Sequence, residues 1–131
     1  MLGGMDQRGR FSGVEFDWFS QDSSGAIALF ATAGAGFIPA LVVDAAERHQ
    51  ELSVSIENPR WGTAQVWDAY ADLGLYVFDW KLHSGPYVRV RGPAQPMPQE
   101  FWARVVELPG LVLYPGRFEK DHEIKREWQA A

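Results

Sequence analysis

Val14-Glu15-Phe16-Asp17-Trp18-Phe19, then Gln21-Asp22-Ser23-Ser24-Gly25, then Ala26-Ile27-Ala28-Leu29-Phe30-Ala31-Thr32 is the run that decides the fold class. The first and last pieces are short and rich in aromatic and aliphatic strand formers. In the middle piece, Asp and Ser bond their own backbone and Gly25 supplies a positive φ. Strand, tight turn, strand is an antiparallel hairpin. The same grammar returns at Leu75–Lys81, a turn at His83-Ser84-Gly85-Pro86, and the alternating strand Tyr87-Val88-Arg89-Val90-Arg91. Glu15-Phe16-Asp17-Trp18 is echoed by Val77-Phe78-Asp79-Trp80, each opening a hairpin, and each hairpin precedes a helix that begins near a proline, Pro39 or Pro98. Two duplicated β-β-α units and a chance recurrence of Phe-Asp-Trp both remain open.

Between and after the hairpins the period changes. From Ala40 to about Glu57, Leu41, Val42, Ala45, Ala46, Leu52 and Ile56 recur at helical spacing, and Asn58-Pro59 ends the run. The end of this segment, Leu52 to Ile56, also alternates like a strand. Thr63 suits the N-cap of a short helix through Leu73, with Gly74 as its stop. Gln99–Leu108 is amphipathic and closed by Pro109-Gly110, and Leu111–Tyr114 is a short strand. The stretch from Arg117 to Trp128 reads as a terminal helix held by Phe118, Ile124 and Trp128. The element order is therefore β-β-α-α-β-β-α-β. It implies an α+β fold, an antiparallel sheet built from two hairpins with helices packed on one face. The other face must then be polar or covered by a partner.

The chain has 131 residues, one domain's worth, with residues 1–12 expected as a flexible N-terminal arm. A hydrophobic content of 47% supports a packed core and excludes disorder. The net charge of −5 disfavours a general nucleic-acid binder, because phosphate backbones are repelled. The absence of Cys excludes a disulfide scaffold, a thiolate metal site and a cysteine nucleophile. The N-terminus lacks a signal-peptide core, and the most apolar stretch, Gly25–Val43, is broken by Thr32, glycines and Pro39. The expectation is a cytoplasmic protein that does not enter the membrane.

No strong catalytic motif is present. Gly34-Ala35-Gly36 lies where a dinucleotide loop would, but Pro39 takes the place of its third glycine, so a plain turn is expected. His49, His83 and His122 have no metal-ligand spacing and read as surface histidines, so no metal and no cofactor are expected. Ser20, Ser23 and Ser24 belong to turn chemistry, and Ser84-Gly85 lacks the flanks of a nucleophile elbow. Asp17 and Asp79 lie in aromatic strands. Either could be buried with a raised pKa suited to acid–base work, or could sit on a polar face paired with an arginine, which for Asp79 would be Arg89 or Arg91 of the neighbouring strand. The second reading is favoured, since polar-face aspartates are commoner. Asp44, Glu47 and Glu51 share one helix face, and Asp68 and Asp72 share the next, with Trp61 and Trp67 nearby. Carboxylates around exposed rings suit a basic protein partner: charge steers and the rings anchor.

Glu15-Phe16-Asp17-Trp18-Phe19, followed by Asp22, Gly25, Ile27-Ala28, Phe30, Thr32-Ala33-Gly34, Gly36 and Ile38-Pro39, resembles the opening of small stand-alone bacterial proteins. Some of these look like immunity proteins of polymorphic-toxin or type VI secretion systems. The resemblance covers the first third of the chain and brings no catalytic residue. It implies a small cytoplasmic protein that neutralises a toxin by covering its active site. The acidic charge itself suggests a basic nuclease as a natural target, because carboxylates can mimic phosphate charge. The leading expectation is thus a non-enzymatic, immunity-type inhibitor of an effector protein. Its binding residues would be Asp44, Glu47, Glu51, Trp61, Trp67, Asp68 and Asp72. The alternatives are a small-ligand binder or enzyme whose aromatic pocket uses Asp17 or Asp79, and a homodimer formed through surface aromatics.

Overall fold

The computed structural model describes residues 11, 13–58, 61–63, 65–126 and 128. Residues 1–10 and 12 of the expected arm lie outside that set, while Phe11 is half-buried and packs on Phe16 at 4.7 Å between ring centroids.

Both hairpins form. Strand β1 (Asp17–Asp22) pairs antiparallel with β2 (Ile27–Ala31), from Asp17 opposite Ala31 to Gln21 opposite Ile27. Strand β3 (Tyr76–Asp79) pairs antiparallel with β4 (Tyr87–Arg91), with a register shift between Val77 and Phe78. The chain is α+β, but its sheet is mixed. Strand β5 (Val112–Tyr114) and strand β6 (Glu123–Ile124) complete six strands in the order β5-β1-β2-β3-β4-β6. The β2–β3 and β1–β5 pairs are parallel, which corrects the expectation of an all-antiparallel sheet. The reason lies in the connections. A helical crossover returns the chain to the end of the sheet it left, so the next strand runs parallel to its neighbour. Helices α1 (Ala40–Asp44), α2 (Ala46–Val54) and α3 (Val66–Asp72) make that crossover from β2 to β3, and α4 (Gln99–Val106) makes the one that delivers β5.

Three local readings also change. The long helix expected from Ala40 breaks at Ala45 (φ −121°, ψ 26°) and ends at Val54. Thr63 is not the N-cap of α3; Gln65 is, and the Thr63 hydroxyl accepts the Gln65 amide at 3.2 Å one step earlier. The terminal helix is replaced by a turn and β6. The free edge of β4 takes Ile124 opposite Tyr87, and Asp22 accepts the Phe118 amide at 2.8 Å, so tail backbone groups bond outward rather than to a helix of their own. Phe118 and Ile124 are nevertheless buried and Trp128 half-buried, as their apolar character demands.

The core lies on both faces of the sheet. Trp18, Phe30 and Phe78 stand side by side on β1, β2 and β3. Their rings stack at 4.3 Å and 4.9 Å, each pair within 10° of parallel. Tyr87, Phe118 and Trp128 close over this ladder. The Tyr87 hydroxyl, fully buried, accepts from the Trp18 indole at 3.2 Å and donates to the Phe37 carbonyl at 2.8 Å. Gly36 lets that loop approach, since a Cβ there would lie 2.5 Å from the hydroxyl. On the opposite face Phe19, Leu29 and Val77 form the matching row under Leu52, Tyr70, Phe101 and Val105 of α2, α3 and α4. Helices α2, α3 and α4 thus cover one face; the chain's own loop and tail, joined by Val42 and Val43 of α1, close the other, where a polar surface or a partner was expected.

Asp22 ties these parts together. Its carboxylate accepts from the Ser24 amide, the Ser24 hydroxyl and the Ala26 amide in the first turn, and from the Phe118 amide of the tail. Burial opposes its charge, but those hydrogen bonds win and hold its pKa below the usual carboxylate range. Its stabilisation is therefore complete above about pH 4 and lost as the pH falls through the depressed value. Asp22→Ala should lower stability by about 2–3 kcal/mol in urea unfolding at neutral pH. Asp22→Asn should flatten the loss of stability below about pH 4, and an acid limb identical to that of the parent protein would contradict this role.

Candidate functional site

The ring ladder dictates what the other face carries. Side chains alternate along a strand, so Asp17 and Asp79, each next to a ladder residue, must point to the helix side. There they flank Ala31 in one row across β1, β2 and β3. Strand spacing sets the two backbones about 10 Å apart. The small Ala31 side chain keeps the floor between them low. Ser53 and Val54 at the end of α2, the segment with Trp61, and Val66, Trp67 and Tyr70 of α3 form the walls, and Glu15 stands beside the row. The result is a cleft of about 720 Å³. The Asn58 side-chain amide donates to the Val66 carbonyl at 2.9 Å, pinning the far wall.

The cleft is acidic, and none of the described residues lining it is Lys or Arg. Burial pushes the Asp17 carboxyl up to about 6; the Ser53 hydroxyl, which donates to its Oδ2 at 3.0 Å, opposes this, while the charges of Glu15 and Asp79 add to it. Asp79 is also raised, by burial first; Lys81 acts against the shift and Glu15 with it. The Tyr70 hydroxyl is raised by burial and by the Asp17 charge. Ala33, at the lip, holds φ of 52°, a left-handed conformation that costs a non-glycine residue roughly 1–2 kcal/mol.

Of the residues expected to bind a partner, Trp61 and Trp67 line this cleft. Trp61 is 66% exposed. Glu47 and Glu51, both exposed, line a shallow depression next to it, and Gln50 and Val54 belong to both hollows. Asp44 is exposed at the end of α1, outside these hollows. Asp68 turns to Arg91 at 2.9 Å, an exposed pair worth less than about 1 kcal/mol. Asp72 lines a separate depression with Phe101 and Arg104. The expected pairing of Asp79 with Arg89 or Arg91 does not occur: Arg91 serves Asp68, and Arg89 donates to the carbonyls of Phe118 and Glu119. The bulge in the β3–β4 register puts Arg89 opposite Phe78, on the ring side of the sheet.

His49 is not a surface histidine. It is fully buried on α2, and its Nδ1 accepts the Phe19 amide at 3.1 Å, just where β5 stops pairing with β1. That contact fixes the neutral ring with its proton on Nε2. Burial holds its pKa down at about 4, against the opposite pull of the Gly110 and Pro109 carbonyls. Nε2 has no partner in hydrogen-bond geometry.

No family model matches this chain, no curated protein matches its sequence, and no solved structure matches its fold. Among the described residues no three His, Asp or Glu side chains are placed to hold a metal ion, and no helix is long and apolar enough to cross a membrane.

The convergence of Asp17 and Asp79 was present in the sequence as the repeated Phe-Asp-Trp. Two such triplets on antiparallel strands of one sheet put their rings on one face and their carboxylates together on the other.

Asp17 and His49 give opposite pH dependences. Folded Asp17 keeps its proton to about pH 6 whereas the unfolded chain releases it near pH 4, so its contribution weakens as pH rises through that window. Unfolded His49 takes a proton near pH 6.5 and the folded ring only near pH 4, so its contribution weakens as pH falls through that window. Asp17→Asn should therefore stabilise the protein at neutral pH, by roughly 1–3 kcal/mol. It should also steepen the loss of stability between pH 6.5 and 4, because the His49 slope is no longer offset. Urea unfolding across that range tests both, and a variant no more stable than the parent would contradict a desolvated Asp17.

Proposed function

We propose that this is a non-enzymatic binding protein whose acidic, aromatic cleft anchors a protein partner. In this reading the partner is a toxic bacterial effector, and the protein acts in the cytoplasm by covering the effector's active site. The observation that carries the reading is the meeting of Asp17, Asp79, Glu15 and the exposed Trp61 in one cleft without an opposing basic lining residue among those described. Hot spots combine a large ring with desolvated polar groups, surrounded by a rim that excludes water. Val54, 76% exposed, and the neighbouring Glu47 and Glu51 supply such a rim. The overall charge of −5 speeds encounter with a basic surface. The resemblance of the first third of the chain to immunity proteins points to an effector as the partner.

A second reading has its own support. The cleft volume lies within the range of small-ligand sites, and a carboxyl with a pKa of about 6 suits a general acid or base. A small-ligand binder or enzyme using Asp17 or Asp79 would retain a ligand or turn over a substrate without any protein partner.

Co-expression with the effector encoded by an adjacent gene separates the two. The parent protein should restore growth and co-purify with the effector. Trp61→Ala should weaken the complex at least about tenfold while leaving the fold intact. Growth arrest despite the parent protein, with no complex formed, would sink the docking reading.

A further inference from the structure

We propose that the group the cleft recognises is a guanidinium, an arginine side chain presented by the protein partner. The inference rests on the docking reading above and names what is docked. Three carboxylates, those of Glu15, Asp17 and Asp79, border one hollow, and no described lining residue offsets them. Burial makes the charges of Asp17 and Asp79 costly, so an entering cation relieves both, and Glu15 at the exposed margin adds its own attraction. Lys81 acts on Asp79 but is an exposed residue outside the lining.

The shape selects among cations. Asp17 and Asp79 face each other across Ala31, on strands two spacings apart, about 10 Å at the backbone. An ammonium is a compact point charge that engages one side of such a space. A guanidinium is planar, with five donors in a fixed fork, and can bond a carboxylate on each side at once. The hydroxyl of Ser53 holds one oxygen of Asp17 and so fixes that carboxylate in place. Indole faces favour a flat, weakly hydrated cation, and Trp61 and Trp67 both line the hollow. The source is a protein rather than a free small molecule, because Val54, Glu47 and Glu51 extend the same surface beyond the reach of a single cation.

The test uses the full chain and three short synthetic peptides that differ only at a central arginine, citrulline or lysine, read by tryptophan fluorescence and calorimetry at neutral pH. The arginine peptide should bind saturably and at least about tenfold tighter than the citrulline peptide, with lysine in between. Asp79→Asn, which removes one side of the clamp, and Ala31→Leu, which fills the floor, should each weaken the arginine peptide about tenfold or more. Equal binding of arginine and citrulline, equal binding of arginine and lysine, or no saturable binding of the arginine peptide would each overturn the proposal. Failure of the docking reading looks different: the arginine peptide binds as stated, yet the effector is neither bound nor neutralised. Conversely, an effector neutralised equally well by the parent, Asp79→Asn and Ala31→Leu leaves docking intact and overturns the arginine site.

Discussion

The stack of Trp18, Phe30 and Phe78 across three neighbouring strands is the constraint on which the rest depends. It fixes the register of β1, β2 and β3 because a slip by one residue would send all three rings to the helix side. It also fixes the chemistry of the opposite face. With rings committed to one side, Asp17 and Asp79 have no choice but the other, in one row with Ala31 between them. Core packing and the acidic cleft are two consequences of the same alternation.

The two faces are finished differently. On the ring side the chain closes over its own core with Tyr87, Phe118 and Trp128, and Asp22 ties the tail to the first hairpin. On the helix side α2, α3 and α4 cover the row of Phe19, Leu29 and Val77 but part at the row of the aspartates. Desolvated carboxylates there oppose folding, and the fold tolerates them because the ladder beneath is extensive. Such local instability is expected where a surface is kept ready for another molecule. His49 shows the contrasting case: a buried polar ring used to satisfy the Phe19 amide where β5 ends, with no part in the cleft.

How much of this could be read from the sequence follows from the range of the interactions. The hairpins were legible because turn chemistry at Asp22–Gly25 and at Gly85-Pro86 is local, and α4 because its stripe is regular. The parallel pairings were not, since they depend on how α1, α2 and α3 carry the chain across the sheet. The terminal segment misled because its apolar residues satisfy a helical and an irregular packing equally, and the decision came from the distant Asp22 and the open edge of β4. At the site, Trp61 and Trp67 stand out by their acidic neighbours in sequence, but the carboxylates that line the cleft with them are Glu15, Asp17 and Asp79. The expected partners Asp68 and Asp72 turn towards other parts of the surface. Strand pairing alone suggests an ion pair of Asp79 with an arginine of β4, and the bulge at Val77 and Phe78 prevents it. The Phe-Asp-Trp echo held the missing information, once the two triplets are placed antiparallel in one sheet.

The alternation places Asp17 and Asp79 together in one cleft, where burial raises both carboxyls. Carboxyl carbon chemical shifts followed by NMR through a pH titration measure it at the atom concerned. Asp17 should titrate near pH 6 in the parent protein and at a lower pH in Asp79→Asn, where the neighbouring charge is gone. A midpoint near pH 4 that is indifferent to Asp79 would contradict the account.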